Sequence, residues 1–252
     1  MSVANSEGLA RGGAFSLRGM RILITGAAGG IGSAAARICA DGEASLVLTD
    51  IADEARIRAA VGPSRADADV RRLDVADRAA VDAAARDIGP IDALIDASGV
   101  YPHADWLDPD FDAALDLVLR VNVGGPINLA RAFFPGMAER GAGRIVLCGS
   151  IAGWMGGVKS GPHYAFSKGG LHAFVRWLSR RGAPHNVLVN AVAPSTTNTQ
   201  MMQGIGYDPS TYPLRRVAEP AEIAAAMAFL CSPGASYISG AIIDVNGGLH
   251  LR

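Results

Sequence analysis

A tyrosine and a lysine four residues apart, Tyr164 and Lys168, follow a serine, Ser150, that closes a β-rich run. Helical residues at that spacing share a face, with Cβ atoms about 5–6 Å apart. A free phenol titrates near ~10 and a free lysine ammonium near ~10.4. An ammonium held beside the phenol favours its ionised form, so the spacing predicts a Tyr164 pKa lowered toward neutrality. Such a group can take or give a proton on a substrate oxygen at physiological pH. The run 144–148 ends in Gly149-Ser150, which offers a hydroxyl where ligands of an open α/β sheet bind. The chain has 21 Arg and only two Lys, at 159 and 168. Arg is a permanent charged fork, whereas Lys is a compact charge with three rotatable donors, so position 168 calls for the latter.

The elements that must position these groups alternate short apolar β-rich runs with longer helical patterns, the mark of βαβ units on a parallel sheet. Strands are expected at 21–25, 46–50, 69–73, 91–95, 144–148, 186–192 and 241–245. Helices are expected after residue 30, over 53–60 with a stop at Gly62-Pro63, and from Asp77 to Gly89-Pro90. Further helices are expected at about 110–138, from Tyr164 to about Arg181, and over 222–231. Pro126 falls inside the 110–138 pattern and should interrupt it just after Asn122. Residues 195–217 have no strong period, and a loop of that length suggests a lid.

Between the first strand and its helix lies Thr25-Gly26-Ala27-Ala28-Gly29-Gly30-Ile31-Gly32. Glycines there let the backbone approach a pyrophosphate and aim helix N-terminal N–H groups at its charge. Their spacing departs from the G-x-G-x-x-G dinucleotide fingerprint. Asp50, at the end of the second strand, is placed to accept from both hydroxyls of an adenosine ribose. The same carboxylate repels a 2′-phosphate, which makes NAD the expected cofactor and NADP the lesser one.

The composition is half hydrophobic, with a formal charge of −1 and acidic and basic residues interspersed, so no basic field suggests nucleic acid. Three cysteines (39, 148 and 231) are widely spaced in apolar runs, with no metal pair or disulfide framework. No apolar run approaches the roughly 20 residues that span a bilayer, and residues 1–18 lack the core of a signal peptide. The expectation is a cytoplasmic domain over 19–252, after a mobile extension over 1–18.

Taken together, the motifs resemble the short-chain dehydrogenase/reductase family over nearly all of residues 15–250. The glycine turn is similar to its Thr-Gly-x-x-x-Gly-x-Gly motif. Ser150, Tyr164 and Lys168 match its Ser and Tyr-x-x-x-Lys, and Asn122 in Val121-Asn122-Val123 matches its fourth catalytic residue. The resemblance implies a doubly wound α/β fold: one Rossmann-like domain, seven parallel strands with helices on both faces, usually a homotetramer. It implies that Tyr164 is the general acid/base and that Lys168 lowers its pKa and holds the nicotinamide ribose. Ser150 would polarise the substrate oxygen, and Asn122 would anchor a water that links Lys168 to solvent. The implied cofactor set is Gly26, Gly30, Ile31, Gly32, Asp50, Ile51, Asp74, Val75, Ala97, Gly99, Tyr164, Lys168, Pro194, Thr197 and Thr199.

Two departures stand out. The family's Asn-Asn-Ala-Gly is Asp96-Ala97-Ser98-Gly99 here, so Asp96 can act only as an acceptor. Its Pro-Gly is Pro194-Ser195, which loses the freedom to adopt positive φ.

Pocket candidates are Tyr101, His103, Ile151, Trp154, Met155, His163, Met201, Met202, Tyr207 and Tyr212, whose aromatics and methionines suggest a sizeable apolar substrate. His163 is expected to be structural, because neighbours on a helix do not share a face. The expected activity is NAD-dependent interconversion of a secondary alcohol and a ketone, in the oxidative direction. The rivals are a 3-oxoacyl thioester (acyl carrier protein) reductase and a non-catalytic NAD-binding regulator.

Overall fold

Apolar residues in β1 (Arg21–Thr25) point alternately to the two faces of a sheet. In the computed structural model, which describes residues 13–62, 67–157 and 159–252, Ile22 and Ile24 enter one core and Leu23 the other. The remaining strands are β2 (Ser45–Asp50), β3 (Asp69–Arg72), β4 (Ala93–Asp96), β5 (Gly143–Cys148), β6 (Val187–Pro194) and β7 (Ile242–Val245). All pair in parallel, in the order β3-β2-β1-β4-β5-β6-β7. Helices α1 (Gly30–Asp41), α2 (Glu54–Val61) and α8 (Pro220–Cys231) cover the Ile22 face with Ala35, Ile57 and Met227. Helices α3 (Arg78–Ile88), α5 (Gly125–Arg140) and α7 (Pro162–Gly182) cover the Leu23 face with Val81, Leu129, Phe133 and Val175. Each of the larger side chains among these, when buried, contributes about 1.5–3 kcal/mol. The chain thus has the doubly wound α/β architecture.

Local signals set the helix ends. Asp53 accepts from the Arg56 N–H and Asp77 from the Ala80 N–H, each satisfying a free donor of the first turn. Gly62 and Gly89 end α2 and α3 at positive φ, and Pro63 lies outside the described residues.

The segment expected as one helix over 110–138 is α4 (Phe111–Val118), a π turn (Leu119–Gly124), then α5. Pro126 has no N–H to return to the Asn122 carbonyl, and the Gly125 N–H reaches both Arg120 and Val121 carbonyls. The wider turn carries Asn122 inward, where it is buried.

Residues 13–18 do not belong with a mobile extension. Leu17 is buried in the core, Phe15 packs on Phe229, and the Ala14 carbonyl accepts from the Gly234 N–H. Residues 1–12 lie outside the described residues. Among the described residues, no helix is long and apolar enough to cross a membrane.

The chain leaves β3 at one edge and crosses back to β4 beside β1, so the strand order reverses between β1 and β4. Ligands of such sheets bind in the crevice at that reversal, outside the strands' C-terminal ends. Thr25, Asp50, Asp96 and Cys148 all lie at those ends. Residues 195–217 fold over them as irregular chain with single 3₁₀ turns at Gln200–Met202 and Pro209–Thr211. A 2.6 Å hydrogen bond between the Thr196 and Tyr212 hydroxyls ties this segment together.

Candidate active site

Helix α7 begins at Pro162, whose missing N–H is harmless at a first turn, and presents Tyr164 and Lys168 on one face. The Lys168 Nζ donates to the Cys148 carbonyl at 2.8 Å and lies 5.7 Å from the centroid of the Tyr164 ring. Ser150 sits just past β5, accepts at 3.1 Å from the N–H of Ala152, which opens the short α6 (Ala152–Met155), and lies close enough to the Tyr164 phenol to lower its pKa. Asn122 reaches across from the π turn. Its Oδ1 accepts from the Val100 N–H at 2.8 Å and its Nδ2 donates to the Val100 carbonyl at 3.0 Å. A Cβ on Gly99 would lie 3.4 Å from the Asn122 Oδ1 and 3.7 Å from the Lys168 Nζ, so the β4 turn, the π turn and α7 meet there.

The electrostatics differ from the expectation drawn from spacing. Burial raises the Tyr164 phenol above its ordinary pKa, and the Ser150 hydrogen bond only partly opposes it. In the free chain Lys168, whose own ammonium is disfavoured by burial, does not offset that rise. Burial in turn pushes the Lys168 ammonium down, against the pull of Cys148 and Asp96. An unaided phenol here is a strong base held protonated, and it needs further positive charge nearby to ionise near neutrality.

At the β1 end the glycines let the turn pack tightly against its neighbours. Gly26 has φ +69°, and a Cβ there would meet the Ala97 carbonyl oxygen at 2.6 Å. A Cβ on Gly30 would meet Thr199 Cγ2 at 2.8 Å, and one on Gly32 would meet the Gly26 oxygen at 2.0 Å. Ile31 follows in α1. Asp50 accepts from the Ala28 N–H at 3.0 Å and the Ala52 N–H at 2.9 Å, which fixes its carboxylate against the glycine turn with Ile51 exposed beside it. Asp74 accepts from the Ala76 N–H, and the Val75 carbonyl accepts from Asn128 at 3.0 Å. Thr197 is buried and donates to the Ser195 carbonyl, and the Pro194 carbonyl accepts from the Ile151 N–H.

Both departures are accommodated. The Asp96 Oδ1 accepts from the Thr25 hydroxyl at 2.7 Å and from both the N–H and hydroxyl of Ser98. Ser195 is absent from the non-glycine residues at positive φ, so no left-handed strain follows from the loss of glycine there. Thr25, Ser98 and Asn128 are supports that sequence reasoning missed. Only the register that sets β1 beside β4 brings Thr25 to Asp96.

A cavity of about 460 Å³ opens above Ser150 and Tyr164, lined also by Tyr101, Ile151, Met155, Met202, Tyr207 and Tyr212. Four pocket candidates do not line it. Trp154 turns away to lie 4.3 Å from the ring of His172, with the Arg252 guanidinium 4.2 Å over its indole, because β7 and the chain end bring that cation there. His163 is buried, with Nε2 3.2 Å from the Pro102 carbonyl oxygen. His103 meets the Tyr101 ring edge-on at 4.9 Å, and Met201 is exposed. Among the described residues, no cluster of His, Cys, Asp or Glu could hold a metal ion.

A family model described as Enoyl-(Acyl carrier protein) reductase matches residues 26–250. A galactitol 2-dehydrogenase (L-tagatose-forming) from Cereibacter sphaeroides is 38% identical, covering 93% of this chain and 96% of its own. The chain belongs to the short-chain dehydrogenase/reductase family. An acetoacetyl-CoA reductase from Allochromatium vinosum is 35% identical to this dehydrogenase/reductase, over 91% of this chain and 98% of its own. A solved short-chain dehydrogenase/reductase family protein superposes with a TM-score of 0.85 at 33% identity, covering 92% and 98% of the two chains. A structure described as an NAD(P)-dependent gluconate 5-dehydrogenase from Beutenbergia cavernae, holding NADP at low occupancy, gives 0.86 at 29% identity over 94% and 99%. The protein is therefore an oxidoreductase of a family that binds NAD(P). The first turn of α1 carries no side-chain cap, so its N–H groups at the glycine turn suit the phosphates of such a dinucleotide.

Proposed function

We propose that this dehydrogenase/reductase interconverts a secondary alcohol and a ketone with NAD, in the oxidative direction. The observation that carries the reading is that Ser150 and Tyr164 line one cavity, with Lys168 beside the Tyr164 ring and Asn122 near Lys168 across Gly99. Ser150 holds the substrate oxygen, and Tyr164 takes its proton as the carbonyl forms, or returns it in reduction. Lys168 and the chain that Asn122 clamps keep the phenol in place. When bound, the dinucleotide supplies the hydride acceptor. The glycine turn, Asp50 and the segments at Asp74, Ala97 and Thr197 would hold it, with Lys168 on its nicotinamide ribose. Ile151, Met155, Met202 and Leu249 supply apolar walls for the rest of the substrate.

Asp50 supports NAD over NADP, because a carboxylate beside the ribose accepts from hydroxyls and repels a phosphate. Asp50→Asn retains an acceptor for the glycine turn while removing the charge. It should weaken NADH binding about 10-fold and raise NADP(H) use relative to NAD(H), as a hydrogen bond to a charged group is worth about 1.5–3 kcal/mol. Cofactor fluorescence titrations measure the ratio, and an unchanged ratio would remove Asp50 from cofactor selection.

The galactitol dehydrogenase relative supports the alcohol reading, and the acetoacetyl-CoA reductase supports the thioester alternative. An initial-rate panel decides between them: secondary alcohols with NAD and NADP, and a 3-oxoacyl thioester with NADH and NADPH. Alcohol-dependent NAD reduction is expected, and thioester reduction alone, driven by NADPH, would overturn the proposal. A homotetramer is proposed on the family pattern, and the exposed Phe166 and Trp177 on α7 are the kind of surface that association covers.

A further inference from the structure

The mechanism leaves one charge at the site unused. Asp96 is 2% exposed, and Lys168 is 4% exposed. Three donors converge on one Asp96 oxygen: the Thr25 hydroxyl at 2.7 Å, the Ser98 N–H at 3.0 Å, and the Ser98 hydroxyl. Neutral donors fix an ionised carboxylate in this way without cancelling its charge. Lys168 is the converse case. Its Nζ donates to the neutral Cys148 carbonyl at 2.8 Å, and among the described residues no carboxylate forms a direct ion pair with it. Taking either charge out of water alone is costly, and an opposite charge in the same desolvated space offsets that cost.

The fold brings these two charges to one place. Asp96 ends β4 and Cys148 ends β5, and the strands pair with Asp96 beside Leu147, one residue before Cys148. The turn that leaves Asp96 runs to Gly99, where an added Cβ would lie 3.7 Å from the Lys168 Nζ. The other groups around Lys168 carry no negative charge near neutral pH. Asn122, from the π turn, is an amide. Burial keeps the Cys148 thiol and the Tyr164 phenol protonated. His172, one turn further along α7, is pushed down to about 4 by burial and by the Lys168, Arg176 and Arg252 cations. Asp244, the carboxylate near His172, is paired with Arg252 at 2.8 Å. Asp96 therefore supplies the negative charge of this cluster, and it favours the Lys168 ammonium against desolvation.

We propose that Asp96 is a positioning residue for the reaction: its fixed negative charge holds Lys168 as the ammonium, and so sets the highest pH at which Tyr164 and Lys168 work together. The proposal rests on the role proposed above for that pair and adds the group that keeps its lysine charged. In alcohol oxidation the phenolate fraction of Tyr164 grows with pH, whereas the ammonium is lost with pH. Asp96 widens the window in which both are present.

The test uses the scarcity of lysine. Lys159 and Lys168 are the two lysines of the chain, so protein labelled with carbon-13 at lysine Cε gives two side-chain NMR signals, and Lys159→Arg tells them apart. The Lys168 signal is followed against pH in wild type, Asp96→Asn and Thr25→Val. Asp96→Asn keeps the size and an acceptor oxygen and removes the charge, whereas Thr25→Val removes a hydrogen bond to that oxygen and keeps the charge. In Asp96→Asn the Lys168 signal should titrate at a pH lower by roughly half a unit or more. In Thr25→Val it should stay near the wild-type midpoint, even where Tm falls. NAD reduction should fall off on the alkaline side at a lower pH in Asp96→Asn than in wild type. Asp96→Ser supplies a second neutral side chain should Asp96→Asn fail to fold. A Lys168 midpoint that the neutral variants leave in place, or that Thr25→Val moves as far, would overturn the proposal and leave Asp96 a support of its turn. The lysine signal needs no turnover. If it shifts as expected while no alcohol reduces NAD, the activity reading fails and the charge coupling stands; turnover with an unmoved signal gives the reverse.

Discussion

Replacing Tyr164 with Phe should reduce turnover by about 10²- to 10⁴-fold, the usual contribution of a positioned general acid or base. NADH binding should change by no more than a few-fold. The substitution removes one oxygen and keeps the ring, so the edge-on contact with Tyr101 and the start of α7 persist. The pH dependence gives a second signature. Burial raises the phenol, so the base form needed to accept an alcohol proton becomes more abundant as pH rises. Oxidation by wild type should therefore accelerate toward alkaline pH and ketone reduction should slow. The residual rate of the variant should lose that limb. Stopped-flow and steady-state rates across pH measure both, and a variant that kept its turnover would remove Tyr164 from proton transfer.

Replacing Gly32 with Ala should disable the cofactor turn and destabilise the fold together. The added Cβ would stand 2.0 Å from the Gly26 carbonyl oxygen and 2.6 Å from its carbon. Both are backbone atoms of the same turn, with no flexible side chain to give way. The glycine loop or the first turn of α1 must shift, at a cost of roughly 1–3 kcal/mol for forced overpacking. For a chain of this length that corresponds to about 3–10 °C in Tm. Displacing the loop also removes the surface offered to a pyrophosphate, so NADH affinity should fall at least tenfold. Gly136→Ala in α5 is the control. Only the Arg140 Nη1, the end of a long side chain, lies within 4 Å of its added Cβ, at 3.4 Å, and helix propensity favours Ala by about 1 kcal/mol, so its Tm should hold or rise. Calorimetry and NADH titration of the two proteins test the contrast. An unaltered Gly32→Ala protein would show that the turn yields more easily than its contacts indicate.

Much of the architecture was legible because it is encoded locally. The β1 run, the Asp53 and Asp77 caps and the four-residue spacing of Tyr164 and Lys168 each express a period or a short-range hydrogen bond that few residues specify. The break at Pro126 was legible for the same reason, since a missing N–H acts on its own helix. Its form, a π turn that turns Asn122 inward, was not.

What the tertiary structure alone decided depends on which distant segments meet. Strand order sets Thr25 beside Asp96, and the crossing of the π turn and the β4 turn sets Asn122 on Val100. The approach of Arg252 and His172 draws Trp154 out of the pocket it was expected to line. The electrostatics depend on folding too: spacing puts an ammonium near a phenol, and burial raises that phenol. Desolvation is a property of everything packed around a group, so no local pattern reports it. By itself, the sequence determined the helices, strands and turns and the family to which they belong. Only folding decided which distant polar groups satisfy one another, as Thr25 and Ser98 do for Asp96.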